Sequence, residues 1–228
     1  ESVITLGRAL LGAGIKPGDR IATLAPPCRG FWICFLACAA IGATWLGLNP
    51  RYKRREFAFF IRDAKPKLIF TFSPFDGRNY DGEIEMILKD LNLDKDCKLV
   101  QFDDKSFNFT DFSDFLAQHW VLASEQLFHR SMIKVKDTDI AAIVYTSGST
   151  GRPKGSMLSH RSLCRSAKAS VGWMGQSLER AAMAFPINHI GSLSAIGMNV
   201  LAFGGTVYFM AHFRAADILA IGKKEKIT

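Results

Sequence analysis

Short apolar runs rich in β-branched residues alternate with segments of helical period along almost the whole chain. The predicted strands are 20–25, 44–48, 67–72, about 98–102, 140–145, 181–185 and 206–210. The predicted helices are 1–13, 29–41, 53–63, 82–91, about 111–118, 160–172, 192–203 and 214–223. Because each helix carries the chain back before the next parallel strand, the pattern predicts an α/β fold with largely parallel sheets, layered helix-sheet-helix. Residues 103–137 show no clear period.

The stretch YTSGSTGRPKG, residues 145–155, lies directly behind the apolar strand 140–145. Its glycines let the backbone approach a ligand closely, and its hydroxyls supply hydrogen-bond donors. Lys154 adds a mobile positive charge, and Ser159 lies at the expected N-cap of the next helix. A loop of this composition between a strand and a helix favours binding of an oxyanion, above all a chain of phosphates.

Two other interpretations of this loop fit less well. Tracts of glycine, serine and threonine are often flexible linkers, but a linker requires neither the lysine nor a buried strand and a capped helix on its two sides. The Walker A loop requires G-x-x-x-x-G-K-[ST], whereas Lys154 follows Pro153 and precedes Gly155 here.

The order of residues 145–155 resembles the signature loop of the adenylate-forming enzymes, which include acyl-CoA synthetases, firefly luciferase, coumarate-CoA ligases and the adenylation domains of peptide synthetases. Four further segments resemble this family in the same order. They are LGAGIKPGDRIA, AAIGATWLGLNPRY with Glu56 behind it, AKPKLIF, and GSMLSHRSL; FPINHIG at 185–191 extends the match further.

The resemblance implies that residues 1–228 are an incomplete N-terminal AMP-binding domain, and that a mobile C-terminal domain is absent from this chain. It also implies two packed sheets with the ligand site in the groove between them, at the carboxyl ends of parallel strands. The fragment alone is therefore expected to be inactive.

The activity implied by the resemblance is that of an acid-thiol ligase. A carboxylic acid, fatty or aryl, attacks ATP to give acyl-AMP and pyrophosphate, and the thiol of coenzyme A then displaces AMP. Mg²⁺ is the expected cofactor, because two anions must meet in the first step. Matching the motif assigns phosphate contacts to the loop (Thr146, Ser147, Gly148, Ser149, Thr150, Gly151 and Lys154), with Thr150 near the metal and Lys154 following pyrophosphate.

Two histidines receive different roles. His189 falls in the segment that, in the family, lies between the nucleotide and the acyl group, so an orienting catalytic role is expected; a lone histidine before a helix can instead be a cap. His160 is expected to be structural, joining the helix start to the loop. Asn188 and Gly191 are expected to line the acyl pocket.

The charge and composition of the chain indicate which classes of partner and which location to expect. The net charge of +8 is spread along the chain without a nucleic-acid signature, so no nucleic-acid partner is expected. Residues 30–48 are uncharged, but Gly42 interrupts them, so a buried helix and strand are favoured over a membrane span. Peripheral membrane contact stays open. Five cysteines without a CxxC pair fit a reducing compartment and a cytoplasmic location.

Three alternatives remain at the level of function: a catalytically inactive nucleotide-binding relative, a luciferase-like enzyme, and a peptide-synthetase adenylation module. The sequence leaves open the chain length of the acid, the acyl acceptor, targeting signals and the oligomeric state.

Overall fold

Six strands of the chain form one twisted sheet in the order β4-β3-β1-β2-β5-β6. The computed structural model describes residues 1–102, 110–146, 152–174 and 179–227. The strands are β1 Arg20–Leu24, β2 Thr44–Leu48, β3 Leu68–Phe72, β4 Lys98–Phe102, β5 Ile140–Thr146 and β6 Lys154–Ser159. The first five are parallel, and β6 pairs antiparallel with β5. The expectation of an α/β fold with a mainly parallel sheet is therefore confirmed.

Helices cover both faces of this sheet. In chain order they are α1 Ser2–Gly12, α2 Arg29–Ala40, α3 Arg54–Ala64, α4 Tyr80–Asp90, α5 Thr110–Trp120, α6 Glu125–Lys134 and α7 His160–Met174. One core cluster contains residues of α1, α2, α5, α6 and α7, and the other contains residues of α3 and α4. Alternate residues of each strand enter alternate clusters, as Trp45 and Leu46 do, because successive strand side chains point to opposite faces.

A second, two-stranded parallel sheet follows in the described part of the chain. It pairs β7 Arg180–Met183 with β8 Thr206–Phe209. Between them lie a π-helix at Gly191–Met198 and the short α8 Asn199–Ala202, and α9 Ala215–Glu225 follows β8. The expected single α-helix over 192–203 is therefore mostly π-helical, with backbone hydrogen bonds that span five residues instead of four.

Two elements differ from the sequence-based expectation. Residues 154–159, expected as part of a loop, form β6, because pairing with β5 satisfies a backbone whose own residues favour strand only weakly. Helix α6 arises inside the segment without clear period, where the Ser124 hydroxyl accepts from the amide of Leu127 at 3.1 Å. The expected cap of α7 is confirmed, since the Ser159 hydroxyl accepts from the amide of Ser162 at 3.2 Å.

Within the described residues, no helix is both long enough and apolar enough to cross a membrane.

Candidate active site

Parallel strands of both sheets direct their carboxyl ends into one groove. A cavity of about 150 Å³ in this groove is lined by residues that follow β1, β2, β3, β7 and β8. A larger cavity of about 720 Å³, called the main cleft below, adjoins it through Asn49, Phe185 and Pro186. The end of β5, the segment 185–189 and the π-helix form its walls. Ligands of open α/β sheets bind at such strand ends.

The phosphate-binding residues predicted from the sequence fall partly within the described chain. Thr146 ends β5 and lines the main cleft. Lys154 begins β6, is exposed, and lies opposite Thr146 in the antiparallel pair. The structure thus places the lysine at the same end of the sheet as the cleft. Ser147, Gly148, Ser149, Thr150 and Gly151 lie outside the described residues.

His189 lines the same cleft and is exposed. Its Nδ1 accepts a hydrogen bond from the amide of Gly191 at 3.2 Å, so the neutral ring carries its proton on Nε2. The backbone is fixed as well, since the His189 amide donates to the carbonyl of Pro186 at 3.0 Å and its carbonyl accepts from Leu193 at 2.9 Å. His189 therefore caps the π-helix with one nitrogen while Nε2 retains a proton to donate.

Asn188 connects this segment to the first sheet. Its amide Nδ2 donates to the hydroxyl of Tyr52 at 3.1 Å, across a large separation in sequence. Asn188 is 7% exposed, and its Oδ1 is buried without a hydrogen-bond partner among the described residues. Burial raises the pKa of Tyr52, and the bond from Asn188 opposes that rise. The segment LNPRY carries no sequence signal that assigns a role to Tyr52.

Tyr145, directly before Thr146, is also held by a hydrogen bond of its hydroxyl group. Its hydroxyl donates to a carboxylate oxygen of Asp63 on α3, at 2.5 Å. Burial, and then the neighbouring Asp63 carboxylate, raise the pKa of this phenol well above its usual value. Tyr145 therefore acts here as a neutral hydrogen-bond donor that fixes the end of β5.

The π-helix and the residue before it contribute to the apolar wall of the main cleft. Ile190, Gly191, Ala195 and Ile196 line it, together with Val144 of β5. A Cβ on Gly191 would lie 3.4 Å from Nδ1 of His189, in van der Waals contact with the histidine ring. Gly191 and Asn188 thus both lie at the wall of the main cleft, and their expected place in an acyl pocket stays a prediction.

His160 lies away from the main cleft. It lines a separate cavity of about 480 Å³ between α2 and α7, and its amide donates to the carbonyl of Asp139 at 3.1 Å. Burial lowers the pKa of its ring, whose Nε2 has no partner among the described residues.

In the described ranges, no group of three or more histidine, cysteine or acidic side chains is arranged to hold a metal ion. Thr150, the predicted metal contact, lies outside those ranges.

Proteins of known family resemble this chain along most of its length. A family model described as AMP-binding enzyme matches residues 1–228. The chain is 26% identical over 220 residues to 4-coumarate--CoA ligase 2 of Solanum tuberosum, covering 94% of this chain and 37% of that protein. It is 30% identical over 166 residues to the acyl-CoA ligase sidI of Beauveria bassiana, covering 72% of this chain and 28% of that protein. It therefore spans less than half the length of these relatives.

Solved structures share the fold. ATP-bound MatB from Rhodopseudomonas palustris superposes with a TM-score of 0.77 at 28% identity, covering 98% of this chain and 42% of that one. A structure described as a putative long-chain-fatty-acid CoA ligase from Rhodopseudomonas palustris gives 0.81 at 25% identity, covering 100% of this chain and 53% of that one. The chain belongs to the family of AMP-binding enzymes.

Proposed function

We propose that the full-length protein activates a carboxylic acid with ATP and transfers the acyl group to coenzyme A. The observation that carries this proposal is the meeting of Thr146, Lys154 and His189 at one end of the sheet, the first and last of them on the walls of one cleft. The names of the relatives, which are acid-CoA ligases, support the same class of reaction.

The chemistry requires two displacements. A carboxylate oxygen attacks the α-phosphorus of ATP, and the bond from that phosphorus to the bridging oxygen breaks, so that pyrophosphate leaves with its electron pair. The thiol sulfur of coenzyme A then attacks the acyl carbon, AMP leaves, and the thiol proton passes to solvent. Because the first step joins two anions, donors fixed in place before the reaction lower its barrier most.

In this proposal the loop behind β5 binds the triphosphate. The hydroxyls and amides of residues 146–151 contact the phosphates, and Lys154 follows pyrophosphate as its charge grows. The antiparallel pairing of β5 with β6 supports the role of Lys154, since it anchors the lysine backbone beside Thr146. Mg²⁺, with Thr150 as a contact proposed from the sequence, would neutralise phosphate charge.

His189 is proposed to orient the reacting groups. Its Nε2 proton is directed by the bond that Gly191 makes to Nδ1, which leaves Nε2 to donate to the carboxylate or to the adenylate phosphate. A donor fixed at this point stabilises negative charge in the transition state without first having to reorganise.

The apolar wall of the main cleft suits the hydrocarbon part of a fatty or aryl acid. Ile190, Ala195, Ile196 and Val144 offer it contact without charge. The coumarate and acyl groups in the names of two relatives are of this kind. We further propose that residues 1–228 are part of a larger N-terminal adenylation domain that a mobile C-terminal domain completes.

The cellular setting is proposed from the cysteines. All five are free, and four of them are buried, which fits a reducing intracellular compartment such as the cytoplasm. Peripheral contact with a membrane is compatible with a fatty substrate.

A screen for pyrophosphate release by the full-length protein tests the proposal. Short, medium, long and aromatic acids are each supplied with ATP, with and without coenzyme A. We expect release that depends on one class of acid, and acyl-CoA only when coenzyme A is present. Nucleotide binding without turnover would favour an inactive relative, light emission a luciferase-like enzyme, and activity confined to amino acids a peptide-synthetase module.

A further inference from the structure

The ring of Phe60 on α3 lies between two tyrosines that line the main cleft. The ring centroid of Phe60 lies 5.0 Å from that of Tyr52 and 4.4 Å from that of Tyr145. Tyr52 follows β2, and Tyr145 immediately precedes Thr146 in β5. The three rings therefore form a column, called the aromatic column below, along the α3 side of the main cleft.

One end of the column fixes the segment that carries His189. Asn188 precedes His189. Among the described residues, the side chain of Asn188 makes one hydrogen bond, from Nδ2 to the Tyr52 hydroxyl, and its Oδ1 has no partner. Without that bond, nothing polar in the described chain would set the direction of this buried amide. A buried amide left unpaired is costly, so the bond to Tyr52 holds Asn188 firmly.

The Tyr52 backbone is itself immobilised. The guanidinium of Arg78 donates to the carbonyl of Tyr52 at 2.8 Å and to that of Pro50 at 3.1 Å. Glu83 holds the same guanidinium through two hydrogen bonds of 2.7 and 2.8 Å. Because a paired arginine of this kind is planar and rigid, the segment behind β2 is a fixed support.

The other end of the column fixes the phosphate-binding strand. Tyr145 is tied to Asp63 of α3 and lies opposite Gly155, where an added Cβ would come within 3.3 Å of its ring. A side chain at position 155 would therefore displace the Tyr145 ring by a few tenths of an ångström. Helix α3 thus contacts Tyr52 through Phe60 and Tyr145 through Asp63. Through these two tyrosines it is linked to the His189 segment and to the Thr146–Lys154 pair.

We propose that Tyr52 is a positioning residue for the reaction, acting through its hydroxyl on Asn188 and so on the placement of His189. The inference rests on the proposed function. The ring of Tyr52 packs against Phe60 as a phenylalanine would, so packing alone does not require the hydroxyl. Its hydrogen bond fixes an orientation, which the attack of a carboxylate oxygen on the α-phosphorus needs and a hydrophobic core does not.

The test is a double-mutant cycle in the full-length protein, using Tyr52→Phe, Asn188→Ala and both together. The rate of acid-dependent exchange of labelled pyrophosphate into ATP is measured with its KM for ATP. We expect Tyr52→Phe to lower the maximal rate about 5- to 20-fold, with the KM for ATP changed less than about twofold. In the Asn188→Ala background, Tyr52→Phe should have no further effect.

Tyr208→Phe is the matched control, because it removes another tyrosine hydroxyl, bonded to Glu225 at 3.0 Å, that lies outside the main cleft. It should exchange pyrophosphate at the unmodified rate, and melting temperatures establish that each variant folds. Exchange by Tyr52→Phe at the unmodified rate, or losses that multiply in the double variant, would overturn the inference alone. Absence of exchange by the unmodified protein with every acid would overturn the proposed function as well.

Discussion

Thr146 and Lys154 face each other across the antiparallel pair of β5 and β6, at the end of the sheet where the main cleft opens. A lysine on a free loop would lose considerable side-chain and backbone entropy when it bound a phosphate. Here strand pairing fixes the backbone of Lys154 during folding, so phosphate binding restricts only its side chain. This placement is the structural argument for the phosphate-binding role that we propose for Lys154.

Lys154→Ala should lower acid-dependent pyrophosphate exchange about 10²-fold, because one preorganised charge that stabilises developing negative charge is lost. The control is Lys89→Ala, which removes an exposed lysine from α4. It should leave exchange unchanged. Equal rates for the two variants would remove Lys154 from the mechanism.

His189→Asn separates capping from catalysis. The asparagine oxygen can take the place of Nδ1 and accept from Gly191, whereas the Nε2 donor is lost. We expect a melting temperature close to that of the unmodified protein and exchange lowered about 10²-fold. His129→Asn, at an exposed position of α6, serves as the control. A variant His189→Asn with full exchange would show that the histidine is a cap and nothing more.

Gly47→Ala should destabilise the fold, because a Cβ at that position would lie 2.5 Å from the Cβ of Asn188 and 2.5 Å from Cη2 of Trp45. Overpacking of this kind costs about 1–3 kcal/mol, which lowers the melting temperature by several degrees. Gly222→Ala in α9 meets nothing within 4 Å and should stabilise by about 0.5–1 kcal/mol. If Gly47→Ala melted at or above the temperature of the Gly222→Ala variant, the close approach of β2 to Asn188 would be wrong.

His160 should make stability depend on pH. Burial lowers the pKa of its ring in the folded state below the ordinary value of about 6.5. The unfolded chain therefore takes up a proton first as the pH falls. The stabilisation from the neutral ring is complete above about pH 6.5 and is lost as the pH falls through the folded pKa. Urea midpoints at about pH 7.5 and 5.5 should differ less for His160→Gln than for the unmodified protein, and an unchanged difference would contradict this account.

Sequence patterns located the elements whose signals are local. The apolar strand at 140–145, the cap at Ser159 and the alternation of helix and strand each depend on neighbouring residues, and the structure confirms them. The strand β6 escaped prediction because its residues KGSMLS favour strand only when β5 lies beside them. The π-helix escaped because GSLSAIGM carries no mark that separates it from an α-helix.

The candidate site also combines residues that the sequence predicts with residues that only the folded chain brings together. Thr146, Lys154 and His189 are predicted from the motifs in which they stand, and their roles stay predictions, whereas the role proposed for Tyr52 depends on a bond to Asn188 that only the folded chain creates. The column through Phe60 likewise joins residues from α3, from the segment after β2 and from β5. No spacing rule in a single sequence connects such residues.

The central claim is that a carboxylate oxygen attacks the α-phosphorus of ATP in the groove between the two sheets. The most direct test supplies the full-length protein with its acid labelled with oxygen-18 in the carboxyl group, together with ATP and coenzyme A, and determines by mass spectrometry which phosphate product carries the label. The account predicts one labelled oxygen in AMP and none in inorganic phosphate or pyrophosphate. Label in inorganic phosphate with ADP as the nucleotide product would show attack on the terminal phosphate and contradict it.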